Sequence, residues 1–387
     1  MTLSHATARR LVARTELIDD PGDLLRHLGS GGAAYLDGET GFVTAGIAAY
    51  VEPAGARAAL AAIGHDRDDD APAGSGPRAV GALAFDGGGL LVIPARIVAR
   101  DPSGQTWRTT IADVALGTPV PPAPTPTRFS VTAATDRNAW TAMVDRALAA
   151  IAAGDLEKVV LARAVDVVAD GAFSVPVVLD VLRHTQPGCT VYADGDFVGA
   201  SPELLVQRRG RTVASRPMAG TGDDPTRLLA SAKDGREHQI VVDAVAAILA
   251  EHCTSVRAEG PTAMRFADVT HLATTISGQL ADIEVSALDL AQQLHPTPAV
   301  GGWPRAEALT LLHTLEDQAR DRYAGPLGWV DAAGDGAFVV ALRCARIDGA
   351  TARLYAGAGI VAGSEAAAEW AETQAKLEPM LRALVRP

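Results

Sequence analysis

The feature of this sequence that most limits its fold is a succession of short β-branched and apolar runs separated mainly by turn residues. Strands that follow one another through short turns pair antiparallel, whereas parallel pairing needs a long crossover segment. Glycine and aspartate separate many of the runs, and fewer segments show helical spacing. The pattern therefore predicts an α+β fold with large, mostly antiparallel sheets. The expected strands include residues 33–36, 42–49, 81–85, 90–98, 157–165, 325–330, 338–346 and 353–360, and a strand-turn-strand is expected around residues 190–209 and 212–218.

Three longer segments have the spacing of helices. Asp136 precedes a set of apolar residues that share one helix face as far as Ile151, and it is a suitable N-cap. Gly154 is a suitable C-terminal stop for this helix. Further helices are expected over residues 226–251 and 364–385.

A proline-rich stretch, residues 117–127, is the clearest break along the chain. Proline cannot donate to a strand ladder, so this stretch should be extended and should lie outside any sheet interior. We expect it to end a strand-rich N-terminal part, residues 1–127, and to lead into a second part, residues 128–387.

The composition excludes several classes of protein. The formal charge is −12, from 34 Lys and Arg against 46 Asp and Glu, which argues against nucleic acid or an anionic membrane as the main partner. The three cysteines, Cys189, Cys253 and Cys344, are widely spaced and odd in number, which fits neither a disulfide framework nor a zinc motif. The N-terminus shows no signal pattern, and the most apolar helical stretch, residues 240–250, is too short to span a bilayer. A soluble, cytoplasmic protein is expected.

Two ionisable residues stand in strand-like surroundings. Lys158 lies in a predicted strand with apolar neighbours on its own face, and burial there would disfavour the charged amine and suit a general base. Glu203, between a tight turn and an apolar run, could be a carboxylic acid whose pKa is raised. The alternative for Lys158 is a solubilising residue on a wet edge, and for Glu203 a turn residue facing water. Both alternatives are the more common situation for these residue types.

Other carboxylates lie on predicted helices. Glu237 is on the flank of an apolar helix face and would need a metal or a cation there. The adjacent His238 is better interpreted as a core histidine than as a ligand. The last helix places Glu369 and Glu372 on one side, where they could hold a hard cation or simply form ion pairs with neighbours such as Lys376. From this helix alone, the ion-pair interpretation is favoured.

A glycine cluster at residues 357–363 follows a predicted strand and precedes the last helix. It imitates a dinucleotide-binding turn, but too little chain follows for the second strand of a Rossmann unit. The glycines would still permit close approach of the backbone to an anion. Arg343, in the middle of a predicted strand, is a candidate clamp for a carboxylate.

The residues of these motifs and their order along the chain resemble those of the isochorismate synthases of the chorismate-utilising enzyme family. The resemblance covers roughly residues 128–387. The N-terminal third is similar to the family only in its abundance of predicted strands. The matching segments are 157–163 (EKVVLAR), 200–205 (ASPELL), 217–221 (PMAGT), 233–238 (KDGREH), 271–274 (HLAT), 294–302 (LHPTPAVGG), 343–345 (RCA), 355–360 (YAGAGI) and 369–376 (EWAETQAK).

The resemblance implies one α+β unit with two large sheets around a central cleft, in which residues 128–387 form the chorismate-binding catalytic domain. It implies that Lys158 activates water for attack at the ring C2 and that Glu203 protonates the departing C4 hydroxyl. It implies a Mg²⁺ ion held by Glu237 and Glu372, with Glu369 close by. The implied substrate-binding residues are Gly220, Thr221, His271, Ala299, Tyr323, Arg343, Gly357 and Lys376, of which Arg343 and Tyr323 would bind the enolpyruvyl carboxylate.

Relatives within the family differ at a few positions. The aminating synthases typically have glutamine in place of Lys158 and need a glutaminase, so water is the expected nucleophile and no glutaminase subunit is expected. Ala299 resembles the enzymes that stop at isochorismate, whereas Tyr323 resembles the salicylate synthases, which go on to eliminate pyruvate. We weigh Ala299 as the stronger constraint and predict an isochorismate synthase, expected to be a monomer. A salicylate synthase and a non-catalytic chorismate-binding protein remain the alternatives.

Overall fold

The computed structural model describes residues 11–111, 125–266 and 269–385. Most of the predicted proline-rich stretch therefore lies outside the described residues. The strands are β1 Val12–Leu17, β2 Ala33–Asp37, β3 Thr40–Val51, β4 Gly64–Arg67, β5 Arg78–Ala82, β6 Leu91–Arg100, β7 Thr106–Ile111, β8 Phe129–Ala133, β9 Lys158–Ala169, β10 Thr190–Asp194, β11 Phe197–Ser201, β12 Leu204–Arg209, β13 Thr212–Arg216, β14 Met218–Gly222, β15 Cys253–Phe266, β16 Val269–Leu280, β17 Gly302–Trp303, β18 Pro326–Asp331, β19 Gly336–Val340, β20 Cys344–Asp348 and β21 Thr351–Val361. The helices are α1 Ala56–Ala61, α2 Arg137–Ala153, α3 Val175–Thr185, α4 Pro225–Ala230, α5 Ala232–His252, α6 Ala287–Leu294, α7 Arg305–Leu315 and α8 Ala366–Val385.

Hydrogen bonds join the strands of the described ranges into one network that contains two long runs. The first run has the order β8-β9-β21-β20-β11-β10-β2-β3-β6-β7-β1-β4. The second has the order β5-β18-β19-β12-β13-β16-β15, and it meets the first where Val80 pairs with Val92. Within the described ranges only β1 and β4 pair parallel. The mostly antiparallel α+β fold is confirmed, whereas a division into two sheets stays a prediction.

Strands from before and after the proline-rich stretch belong to the same runs. Leu36 of β2 pairs with Val191 of β10, and Ala82 of β5 pairs with Leu327 of β18. One hydrophobic core cluster likewise combines Leu83 with residues from the distant β18–β19 region and from α6. The N-terminal strands are thus part of the framework on which the rest of the chain packs.

The capping signals read from the sequence act as expected in α2. The Asp136 side chain accepts a hydrogen bond from the backbone amide of Ala139, and Gly154 ends the helix in the left-handed conformation at φ 82°. Trp140, Val144 and Ala147 are buried along one face of the helix. The predicted helix is therefore confirmed at both ends. In the described part of the chain, no helix combines the length and apolarity needed to cross a membrane.

Three local predictions are wrong. The helix expected over residues 226–251 is two helices, α4 and α5, because Ser231 is extended and its side chain caps α5 at the Asp234 amide. The strand expected over residues 338–346 divides into β19 and β20, because Arg343 adopts a left-handed backbone conformation with φ 50°. The strand expected over residues 353–360 is confirmed as β21, and it contains Gly357 and Gly359, so the glycine cluster does not follow the strand as a turn.

Candidate active site

Eleven of the thirteen residues predicted for the site line one pocket, whose empty volume, including its open mouth, is about 680 Å³. The other two, Lys158 and Glu369, are not among the lining residues, but Lys158 contacts the lining carboxylate of Glu237. The eleven are Glu203, Gly220, Thr221, Glu237, His271, Ala299, Tyr323, Arg343, Gly357, Glu372 and Lys376.

Lys158 is the first residue of β9, and only 1% of it is exposed. Its ammonium lies 2.9 Å from the Glu237 carboxylate, which extends from α5. Gly359 of β21 makes this contact possible, because a Cβ there would stand 2.5 Å from Glu237 Oε1 and 3.0 Å from Lys158 Cε. The wet-edge alternative for Lys158 is excluded, since the lysine is buried and paired.

Glu203 connects β11 to β12 and is 3% exposed. Ser201 orders this corner: its hydroxyl accepts from the Glu203 amide at 3.2 Å and donates to the Val340 carbonyl at 2.6 Å. Burial raises the pKa of Glu203 to about 8, although the positive charge of Lys158 and a hydrogen bond from the Met218 amide oppose the rise. Near pH 7 this side chain is mainly a neutral acid that can give up a proton.

His271 and Arg343 form a hydrogen-bonded pair in the pocket. Burial is the main reason that the pKa of His271 falls to about 3, so the ring is neutral at physiological pH. Its Nδ1 lies 3.1 Å from the Gly220 carbonyl and must donate to it, which leaves Nε2 to accept from Arg343 Nη2 at 3.0 Å. His271 therefore fixes the direction of a guanidinium whose own pKa is lowered by burial.

Helix α8 supplies a carboxylate and an ammonium one turn apart. Lys376 Nζ lies 2.6 Å from Glu372 Oε1 and donates to the Gly357 carbonyl at 2.9 Å. Thr221 also donates to Glu372 Oε1, at 3.2 Å. Burial alone would raise the pKa of Glu372, but the charge and hydrogen bond of Lys376 outweigh it and the pKa is lowered. Glu372 is therefore ionised in the pocket.

The three carboxylates predicted to hold a metal each have a lysine partner. Glu237 pairs with Lys158, Glu372 with Lys376, and Glu369 with Lys233 at 3.5 Å. Within the described ranges, no group of three or more carboxylate, histidine or cysteine side chains has the arrangement of a metal site. Two carboxylates, those of Glu237 and Glu372, do face the pocket, which fits the way Mg²⁺ binds through one or two carboxylates while keeping sites for water and substrate.

Glu369 is the most buried of the three carboxylates. Its pKa is raised, mainly by burial and in part by the charges of Glu372 and Glu237, although a hydrogen bond from Ser364 opposes the rise. The mutual repulsion shows that the three groups share one electrostatic environment. A cation placed among them would relieve this repulsion.

Some pocket residues were missed by the sequence analysis. Tyr355 lines the pocket and stacks on Tyr323, with ring centroids 5.3 Å apart. Tyr355, Gly357 and Gly359 all line the pocket and alternate along β21, so the period of two in a strand would have identified this face. His238 is the core histidine that was favoured, since it is buried and hydrogen-bonded to Thr274 Oγ1 at 2.7 Å.

Comparison with known proteins decides the family. The sequence model described as chorismate binding enzyme matches residues 100–385, most of the chain. The chain belongs to the chorismate-binding enzymes. The residues predicted for the site therefore all lie within the segment that matches the family model.

Two curated relatives and one solved structure show how far the likeness extends. The chain is 41% identical to isochorismate synthase DhbC of Bacillus subtilis over 62% of its own length and 66% of the relative. It is 40% identical to isochorismate synthase MenF of the same organism over 64% of its own length and 56% of the relative. These alignments span less than two thirds of each relative. The structure of MenF, the menaquinone-specific isochorismate synthase from Escherichia coli, matches with a TM-score of 0.82 and 26% identity, over 97% of this chain and 95% of that one.

Proposed function

We propose that this chorismate-binding enzyme is an isochorismate synthase, an isomerase that converts chorismate to isochorismate. The observation that carries the proposal is that one pocket brings together a buried lysine, Lys158, and a buried glutamate, Glu203, that is neutral near pH 7. An allylic substitution needs one group to accept a proton and another to donate one. The names of the relatives DhbC and MenF support the same reaction.

The positive groups of the pocket suit a substrate with two carboxylates. Arg343, oriented by His271, would bind the enolpyruvyl carboxylate together with the Tyr323 hydroxyl. Gly357 leaves room for a carboxylate to approach the backbone, since a Cβ there would stand 3.0 Å from Tyr323 Oη. Lys376, which donates to the Gly357 carbonyl, supplies a second positive charge.

The reaction exchanges one hydroxyl group for another. Lys158, in its neutral form once its ion pair with Glu237 is released, would accept a proton from water as the oxygen forms its bond to C2 of the ring. The ring double bond shifts, and the C4 hydroxyl leaves as water after Glu203 donates a proton to it. One water is consumed and one is released, so substrate and product are isomers. Burial keeps Glu203 protonated at the pH where this donation is needed.

Mg²⁺ is the cofactor we propose, held by Glu237 and Glu372 with Glu369 beside them. The ion would neutralise the ring carboxylate of the substrate. Because both carboxylates now pair with lysines, binding of the ion would replace the contacts to Lys158 and Lys376. Activity should therefore disappear in EDTA and return with added Mg²⁺, and full activity in the chelator would discard the metal.

The proposal is tested by incubating the purified chain with chorismate and Mg²⁺ and identifying the products by mass. An isomer of chorismate without free pyruvate is the expected result. Salicylate and pyruvate in equal amounts would instead make the protein a salicylate synthase, the alternative that Tyr323 supports. Binding of chorismate without any product would leave a non-catalytic binding protein.

We also propose that residues 1–127 are the strand-rich part of the same structural unit as the catalytic residues 128–387. The pairings of β2 with β10 and of β5 with β18 support this arrangement. A chain that begins after the proline-rich stretch should then fail to fold, which circular dichroism would detect.

A further inference from the structure

A buried ion pair lies directly behind the pocket. Arg320, which is 6% exposed, makes a two-pronged contact with Glu316, four residues earlier at the end of α7, through Nε–Oε2 at 2.8 Å and Nη2–Oε1 at 2.6 Å. The Arg320 guanidinium also covers the ring of Phe85 at 4.3 Å from the centroid. Burying a charge costs free energy unless its hydrogen bonds are satisfied, so the acceptors bound by the remaining N–H groups of Arg320 show what the arginine holds in place.

The remaining donors bind the backbone of two separate segments. Arg320 Nη1 donates to the Val300 carbonyl at 2.6 Å, and Nη2 donates to the Val160 carbonyl at 2.5 Å. Glu316 Oε1 in turn accepts from the Ala162 amide at 2.8 Å. The ion pair therefore satisfies two carbonyls and one amide that the neighbouring strands leave unpaired.

Both carbonyls belong to segments that form the pocket. Val160 follows Lys158 by two residues on β9, so the two side chains lie on the same face of the strand. Val300 follows Ala299, and both line the pocket. One guanidinium thus links the strand that carries the lysine to the Ala299–Val300 segment, in addition to the hydrogen bond from the Val160 amide to the Gly301 carbonyl at 3.0 Å.

The turn that contains Arg320 reaches the pocket as well. The Arg320 carbonyl accepts from the Tyr323 amide at 2.9 Å, and Tyr323 lines the pocket. Asp321 and Ala324, with φ of 52° and 64°, hold left-handed conformations that non-glycine residues rarely adopt. Such strained residues persist where surrounding contacts determine the backbone, and the buried ion pair is one of those contacts.

We propose that Arg320, held by Glu316, is a positioning residue that sets the Lys158 strand against the Ala299–Val300 segment; the inference rests on the proposed function. Arg320 is not among the residues that line the pocket. Arginine is required because its planar fork presents four donors to three acceptor groups at once, whereas a lysine ammonium cannot span them. Glu316 is required to balance the charge and to hold the Ala162 amide.

The test compares Arg320→Lys with Arg208→Lys. Arg208 is also buried and donates to two backbone carbonyls, those of Gly210 and Ile283, with Asp335 as its carboxylate, but it does not line the pocket. Arg320→Lys should lower kcat about 30- to 100-fold and change KM less than about 3-fold, because small misplacements of catalytic groups are costly while the binding cations remain. Arg208→Lys should leave kcat within about 2-fold of the original, since it disturbs no pocket segment.

Equal losses of kcat in both variants, or no loss in Arg320→Lys, would overturn the proposal. A second pair separates positioning from stability. Glu316→Gln keeps an acceptor for the Ala162 amide and for Arg320, whereas Glu316→Ala removes it, so glutamine should restore most of the kcat that alanine loses even if both lower the melting temperature.

Amide hydrogen exchange supplies a readout independent of turnover. Peptides that contain the Ala162 amide should exchange faster in Glu316→Ala and Arg320→Lys but not in Arg208→Lys. Unchanged exchange in the first two variants would refute the positioning role. A wild-type chain that does not convert chorismate would refute the proposed function alone, because the exchange comparison would still decide whether the ion pair holds β9.

Discussion

The two sides of the pocket shift the pKa values of their glutamates in opposite directions. At the β11–β12 corner, Glu203 is buried at a strand end, and burial outweighs the nearby positive charges, so its pKa rises to about 8. On α8, Glu372 has Lys376 one turn away, and the lysine outweighs burial, so its pKa falls. A helix brings residues i and i+4 together, whereas a strand end has no such built-in partner. The proposed proton donor is therefore placed where burial decides its pKa, and the proposed metal ligand where a lysine one turn away decides its pKa.

The largest expected effect is that of Lys158→Ala. This change removes the proposed base, whose protonated form also carries the strongest positive charge opposing the neutral form of Glu203. Turnover should fall at least about 10⁴-fold, near the upper limit for a general base, while chorismate binding stays detectable by calorimetry. Normal turnover would exclude the lysine as base.

Glu203→Gln should lower kcat about 10³-fold with little change in KM, because glutamine keeps the shape of the side chain but cannot give up a proton. Steady-state kinetics at pH 7 would measure this. In the unaltered protein, activity should decline as the pH rises through about 8, where Glu203 ionises. A rate that stays constant through that range would argue against Glu203 as the acid.

Glu372→Gln tests the other side of the pocket. Glutamine keeps an acceptor for Thr221 but loses the charge, so the Mg²⁺ concentration for half-maximal activity should rise about 10- to 100-fold. A titration with Mg²⁺ would show this, and Glu378→Gln, on the same helix but paired with Arg382 at the surface, is the control. An unchanged Mg²⁺ requirement would remove Glu372 from the metal site.

The smallest effect concerns stability and has opposite signs for the two glutamates. Because the pKa of Glu203 is raised, the native state binds an extra proton between pH 4.5 and about 8, and stability is lost as the pH rises through this range. As the pH rises, the melting temperature of Glu203→Gln should therefore increase relative to that of the unaltered protein. The pKa of Glu372 is lowered, so its contribution is present above the unfolded value and is lost at acid pH. The melting temperature of Glu372→Gln should accordingly fall furthest below that of the unaltered protein at neutral pH. Identical pH trends for the two variants would contradict the comparison.

Sequence reasoning succeeded where the signal is local. The Asp136 cap, the helical face after it and the strand of Lys158 are each set by neighbouring residues. It failed where distant backbone decides the conformation, as at Arg343, whose left-handed φ breaks a run that looks like a continuous strand. Glu316 and Arg320 were passed over because their spacing resembles an ordinary surface ion pair, and only the fold brings Val160 and Val300 to them.

The pairings between the early and late strands also govern how the chain can be made. During synthesis β5 emerges with its pairing partner β18 still hundreds of residues from completion, and β2 must wait for β10. Contacts of such large sequence separation slow folding, and exposed strand edges attract other chains in the meantime. We therefore expect a nascent chain to expose the unpaired edge of β5 until residues 326–331 have left the ribosome.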